Sequence, residues 1–553
     1  MLVNAKLLRV ALACASAGAL LLAATPTSAF ATVTPITGPN PAGPWVVGTT
    51  VTPGTGQVVW TEDFSNEDTT ATALPLGGPL GAYTGASGEQ YTAGPNWLPP
   101  AAANAGQGGC NGWVLTSTTP NPDPGNNSVD YGCTNTGGID TSSNSHKGWW
   151  YLQRMVEALG TAQGLDPATN AAVSSETNSG RNASDALQFQ QPASTPSSAA
   201  AQAIPGHYYV ASIWVAATHC PGDPHDPGGW TAPVQTVGLT VAGSAAGTPF
   251  APPTQVCNAP VIPQAAPAGE SQGTVNVHVL QIVTPPVVAT SSGSLGLTLS
   301  DSNQGFVGND MAFDTPTIID VTPKLDKQIS ADGSDPGTSA TDTGVSDTAT
   351  LTFTITNAYS DPLDASPSVL DAKLGWSFTD TLPTNMTVDS VPAQDPTNGC
   401  TSGGGPATVD TSTAGVIELT GDLIQDQEFC TITVTVKVAN PGTYVNGPDT
   451  TSAGGQGNFG PFDSATGYSG LSGLWPPSDA TLIVPSQTPS VSTSSAPPTQ
   501  PVTPAVQSQA GSTGASATTG GSATSPMVLW PMLALILTGA GVWLVRWRRK
   551  VAL

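Results

Sequence analysis

The run Thr431-Ile432-Thr433-Val434-Thr435-Val436-Lys437-Val438 alternates polar and apolar residues without a break. A period of two buries one face only if the chain is a β-strand. Similar runs recur over 349–357, 375–380, 416–419, 443–445 and 480–484. One buried and one wet face per strand predicts a two-sheet sandwich over 321–484. Less regular strand-like runs occupy 57–64, 113–118, 186–191, 207–217, 234–241, 274–283 and 295–300, separated by Gly, Pro and Asn clusters. They predict another β-sandwich over 32–320. Residues 150–159 alone carry a loose helical spacing. With 62 Gly and 52 Pro the composition favours turns, and the expected class is all-β.

Both ends read as membrane signals. Lys6 and Arg9 precede an apolar core over 10–24, and Ala29-Phe30-Ala31 supplies a small-x-small cleavage pattern. The expectation is a signal peptide over 1–31 and a mature start at Thr32. Residues 527–545 hold no charge and suffice for one transmembrane helix, with Trp530, Trp543 and Trp547 at its interfaces. Arg546, Arg548, Arg549 and Lys550 mark 546–553 as a basic cytoplasmic tail. Residues 485–526, rich in Ser, Thr and Pro, read as a disordered linker able to reach roughly 130 Å if fully extended. The expected location is the cell membrane, single-pass, with the N-terminal domains at the cell surface. No LPxTG precedes the helix and Ser516-Ala517-Thr518-Thr519-Gly520 only approximates LAxTG, so sortase attachment to the wall is the lesser reading.

Charge excludes one class of partner. Thirteen Lys and Arg, six of them in the two termini, face 38 Asp and Glu. Nucleic acid and anionic lipid both need basic patches, so neither is an expected ligand of the exposed region. Cys14 leaves with the signal. The remaining cysteines fall as neighbours: Cys110 and Cys133, Cys220 and Cys257, Cys400 and Cys430. Sequential disulfides are the simplest of the connectivities open in an oxidising exterior. No CxxC spacing suggests zinc.

Four motifs in order, Leu325-Asp326-Lys327, residues 350–357, residues 376–383 and Tyr444-Val445-Asn446, resemble the DUF11 family of Ig-like repeats in bacterial surface proteins. The resemblance spans about 321–484 and implies an Ig-like spacer or adhesin segment. Thr61-Glu62-Asp63-Phe64 and residues 308–314 resemble the first and last strands of jelly-roll carbohydrate-binding or galactose-binding-like modules. That likeness implies a structural calcium on Glu62, Asp63, Asp310 and Asp314, carboxylates being suitable hard ligands. Sugar binding would require aromatic platforms, for which Trp97, Trp149 and Trp150 are the candidates, with Tyr91, Trp113 and Trp230 behind them. Residues 219–226 pack two His and two Asp into a loop that could hold a transition metal.

Lys327 and Asn446 occupy positions that resemble those of isopeptide-forming pilin domains, with Asp380 as the candidate acid. Such a bond requires a neutral amine, an amide and a protonated carboxyl in a dry core. Catalytic signatures are missing: there is no GxSxG, HExxH, GxxxxGK[ST] or GxGxxG in context. The expectation is a non-enzymatic surface protein, a ligand-binding jelly roll on an Ig-like spacer, contacting wall or host glycans or surface proteins. A glycan-active hydrolase and a purely structural wall scaffold remain the alternatives.

Overall fold

The computed structural model describes residues 53–486, apart from 66–77, 86–88, 94–111, 120–147, 176–186, 191–200, 224–230, 243, 246–250, 252, 266–272, 303–310, 332–333, 335, 343–346, 361–369, 395–397, 449–457, 461 and 464–466. The signal, the linker beyond residue 486, the predicted membrane helix and tail, Cys110, Cys133, Trp97, Trp230 and Asp310 lie outside the described residues. Among the described residues no helix is long and apolar enough to cross a membrane. The described chain is all-β, with disulfides and a β-sandwich-like arrangement.

Described strands from Gln57 to Asp320 form two sheets. The larger runs in the order Val261–Ala265, Thr274–Val283, Tyr208–Ala217, Met311–Asp320, Ala171–Ser175, Trp113–Thr116 and Gly78–Pro79, and Gln57–Thr61 pairs with Met311–Asp320. The smaller is centred on Val234–Val241 and Gly293–Asp301. Val237, Leu239, Leu295, Leu297 and Leu299 face Ala211, Ile213, Val215, Phe313 and Ile318 in one core. The helix Gly148–Ala162 covers the other face of the larger sheet, setting Leu152, Met155, Val156 and Leu159 on Ala216, Val277, Val279 and Ala312. Tyr208–Ala217 and Met311–Asp320 are thus covered on both faces. Hence they read as almost continuous apolar runs and not as alternating ones.

From Lys324 onward a second set of sheets forms. Lys324–Ala331, Thr348–Thr356, Phe429–Val438 and Met386–Ser390 make one; Val416–Leu423 and Lys373–Thr381 centre another; Ser339–Thr341, Ala480–Val484 and Gly442–Asn446 make a third. Phe429–Val438 carries its alternation into space: Cys430, Ile432, Val434, Val436 and Val438 are buried, while the threonines and Lys437 point outward. Trp376 and Phe378 meet Phe353, Ile417, Leu419 and Phe459 in the core. Gly375, with φ +80°, forms a bulge in Lys373–Thr381, so that Trp376 pairs with Gly421. The Trp376 indole lies where a Cβ at residue 421 would stand.

Among the described residues two disulfides close local loops: Cys220–Cys257 with Cα atoms 5.4 Å apart and Cys400–Cys430 at 4.8 Å. The two sets of sheets meet through Tyr208, Val210, Ile319, Val321 and Ala358. Gly54–Thr55 pairs in parallel with Ala358–Tyr359, and the Tyr208 hydroxyl donates to the Leu374 carbonyl at 2.7 Å.

Gly421→Ala overpacks the indole pocket and should lower unfolding stability by about 1–3 kcal/mol. Gly405→Ala, where a Cβ would meet nothing nearer than 3.7 Å, should stay within about 0.5 kcal/mol in the same denaturant titration.

Candidate functional site

Three strands of the second sandwich each turn a polar residue into the core beside apolar ones. In Lys324–Ala331 the inward positions Leu325 and Ile329 flank Lys327. In Lys373–Thr381 the inward series Trp376 and Phe378 continues to Asp380. In Gly442–Asn446 it runs from Tyr444 to Asn446. The period of two therefore turns all three side chains into the core, and the Lys327 and Asp380 side chains have no exposed surface.

They converge on one another. Lys327 Nζ donates to Asn446 Oδ1 at 2.6 Å and lies 3.1 Å from Asp380 Oδ2. Asn446 Nδ2 donates to that same Oδ2 at 3.1 Å. The other oxygen, Asp380 Oδ1, is buried with no hydrogen-bond partner. Aromatic rings enclose the amine: the Phe459 centroid lies 4.4 Å from Nζ and that of Phe353, the cross-strand neighbour of Lys327, 5.8 Å. Phe378 packs on both rings, at 5.1 and 6.0 Å. Burial pushes the Lys327 amine below its ordinary pKa, and the charges of Asp380 and, further off, Asp479 oppose that fall only in part.

This is an amine, a carboxamide carbon and a carboxylate in mutual contact away from water. A lowered amine pKa raises the fraction able to act as a nucleophile, and a carboxylate touching both nitrogens can relay protons between them. The alternating pattern does not mark Asn458, which sits in a turn. Its Nδ2 donates to Asn446 Oδ1, and it is buried. An Asn-Phe-Gly turn after the third strand is the only local signal, and it is common to many loops.

A second buried lysine, Lys373, has a different setting. Its Nζ donates to the carbonyls of Asp371 at 3.0 Å and Ala358 at 3.2 Å, and burial pushes its pKa down to about 8. It ties the first residue of its strand to the junction between the sandwiches.

Of the residues expected to hold calcium, Glu62, Asp63 and Asp314 are described, and each has its own protein donors. Glu62 accepts from Tyr91 Oη at 2.5 Å, Tyr83 Oη at 3.1 Å and the Phe64 amide at 2.8 Å, and burial raises its pKa. Asp63 turns outward and accepts from the Ser65 amide. Asp314 follows the parity of Ala312, toward the helix, and accepts from Gln163 at 2.8 Å, Asn170 at 2.9 Å and the Thr315 amide at 2.6 Å. Phe64 packs in the inter-sheet core, so Glu62 and Asp314 serve opposite faces of the larger sheet. Among the described residues no group of three or more His, Cys, Asp or Glu is arranged to hold a metal ion.

The expected aromatic platforms fare similarly. Trp150 is half-buried, edge-on to Tyr151 at 4.8 Å, with the Arg154 guanidinium 5.7 Å above its ring. Trp149 is the second residue of the same helix. Tyr91 is buried by its bond to Glu62, and Trp113 packs partly buried beneath the helix. In the loop at 219–226, the His219 ring packs edge-on against Tyr151 at 4.2 Å, and Asp223 accepts from Asn276 at 3.2 Å.

Comparison with known proteins adds little to this geometry. Residues 338–461 match the family described as a domain of unknown function, DUF7933. No curated protein matches the chain. One solved structure, titled "BspA_C_mut", aligns with 44% of this chain and 78% of its own at 11% identity and a TM-score of 0.15, a likeness that carries no weight.

Desolvation raises the Asp314 pKa from 3.8 to about 7, beyond what its three donors recover. A raised acid pKa favours the neutral form in the folded state. Its stabilisation is complete below about pH 4 and is lost as pH rises through 7, amounting to roughly 4 kcal/mol at most. The thermal stability of the N-terminal sandwich should therefore fall between about pH 4 and pH 7, and Asp314→Asn should flatten that slope. An unchanged slope would rule Asp314 out as its source.

Proposed function

We propose that this chain is a membrane-tethered cell-surface protein whose second sandwich closes itself with an intramolecular Lys327–Asn446 amide, forming a load-bearing spacer that presents the N-terminal sandwich. The observation that carries the reading is the buried contact among Lys327 Nζ, Asn446 Oδ1 and Asp380 Oδ2 at 2.6 and 3.1 Å. Ionic pairs are rarely buried in apolar cores unless something repays their desolvation. Covalent condensation would do so by removing both charges.

The step balances within the three residues. The Lys327 ammonium gives one proton to the Asp380 carboxylate, and the freed lone pair attacks Asn446 Cγ while the carbonyl electron pair moves onto Oδ1. On collapse the Cγ–Nδ2 bond breaks. Nδ2 takes a second proton from the former amine and leaves as ammonia. The products are a Lys327 Nζ–Cγ amide and a neutral Asp380, with no oxidant, metal or cofactor consumed.

The position of the bond suits a spacer. It would join the first strand of the sandwich to the strand paired with the last, Ala480–Val484, beyond which the predicted stalk begins. Tension between the N-terminal sandwich and the stalk would then pass through the amide, leaving residues 328–445 outside the load path. The signal peptide, the uncharged segment at 527–545 and the linker supply the tether in this reading, and the Ig-like character of 321–484 follows the DUF11 resemblance. The N-terminal jelly-roll-like unit is the presented part, with wall or host glycans or surface proteins as its partners.

Intact-mass and peptide-mapping spectrometry of the chain decides the reading. The expected result is a loss of about 17 Da as ammonia and a peptide joining Lys327 to Asn446. Lys327→Met and Asn446→Ala should lack both. They should also unfold more easily, by up to about 5 kcal/mol if closure acts on the unfolded state as a long disulfide loop does. Wild-type protein without the mass loss would end the proposal.

A further inference from the structure

We propose that Asn458 is the oxyanion donor of the Lys327–Asn446 condensation, an inference that rests on the cross-linking reading above. Amide-forming attack puts negative charge on Asn446 Oδ1, and a fixed donor aimed at that atom lowers the barrier. Two donors reach it: Lys327 Nζ at 2.6 Å and Asn458 Nδ2. The chemistry of the contacts assigns their identities. An ammonium only donates, so the Asn446 atom facing Lys327 is the oxygen. The Asn458 atom facing that oxygen must in turn be its N–H.

The two donors differ in what happens as the reaction proceeds. Lys327 is the nucleophile, and once deprotonated it must direct its lone pair at Cγ, which ends its service to Oδ1. Asp380 stands on the other side of the carboxamide, against Nδ2, where it handles protons of the incoming and leaving nitrogens. Among the described residues this leaves Asn458 as the donor that stays on the oxygen.

Its backbone is held by the strands that carry the other reactants. The Asn458 amide donates to the Gly447 carbonyl at 3.0 Å, next to Asn446, and the Asn458 carbonyl accepts from the Thr381 amide at 2.9 Å, next to Asp380. Phe459, the following residue, lays its ring 4.4 Å from Lys327 Nζ. One short turn thus supplies the oxyanion donor and part of the apolar enclosure that strengthens it by excluding water.

The test follows cross-linking with time in the full-length chain, synthesised in the presence of detergent micelles, chased and sampled for the joined Lys327–Asn446 peptide. Asn458→Ala should cross-link about a hundredfold more slowly than wild type, while the Cys400–Cys430 disulfide forms normally as the check on folding. Asn458→Asp keeps the shape but loses the donor when ionised. It should be slow at neutral pH and accelerate as pH falls and the carboxyl regains a proton, a trend the wild type should not share. That variant also decides the matter if Asn458→Ala fails to form the disulfide. Asn458→Ala as fast as wild type, or Asn458→Asp with no acceleration at low pH, overturns the role of Asn458 and leaves the cross-linking reading intact. Wild type that never cross-links overturns both.

Discussion

The second sandwich is organised around one costly placement, a lysine amine enclosed in phenylalanine rings. Desolvating an ammonium is expensive, and the neighbours that offset it must be polar, close and themselves buried. Asp380 and Asn446 meet that demand from two other strands, and Asn458 meets it from a turn. The strand that carries Lys327 must therefore keep its register against Thr348–Thr356, where Lys327 stands opposite Phe353. A slip of one residue would turn Lys327 away from Asp380 and Asn446 and bring Asp326 or Gln328, both buried on the other face, in its place.

The use of charge elsewhere follows the same economy. In a chain with 38 acids and 13 Lys and Arg, each buried cation is a marked choice, and Lys327 and Lys373 are both buried. Lys373 donates to two backbone carbonyls, and burial lowers its pKa against the opposing charge of Asp371. The N-terminal sandwich buries carboxylates in place of lysines. Glu62 and Asp314 are each held by several donors and serve as struts, the first under the Tyr83–Tyr91 cluster and the second at the end of the helix.

How far the site was legible depends on the kind of signal each residue carries. Lys327, Asp380 and Asn446 stand at inward positions of alternating runs, where a polar residue among apolar ones is visible in the sequence and the family resemblance suggested a reason. Asn458 has no such frame, because a turn has no period to violate. Glu62 and Asp314 are equally visible as carboxylates, the first just past a strand and the second within one. The residues that consume them, Tyr91, Gln163 and Asn170, are distant in sequence, and adjacent strands in one sheet can send their carboxylates to opposite faces. Trp150 illustrates a further limit: a helical tryptophan can be read from the chain, whereas the Arg154 above it becomes a neighbour only once the helix forms.

Taken alone, the sequence determined the local geometry: the all-β class, the helix near residues 150–159, the inward face of strands such as Phe429–Val438, and the pairing of cysteines close along the chain, Cys220 with Cys257 and Cys400 with Cys430. These follow from side-chain period and short loop closure, which act over a few residues to a few tens. Only the tertiary structure decided which inward-facing groups touch. Lys327, Asp380 and Asn446 belong to three different sheets, and their meeting is set by register, by the bulge at Gly375 and by how the sheets stack. Local alternation says that a side chain enters the core; the packing of distant strands says what it meets there.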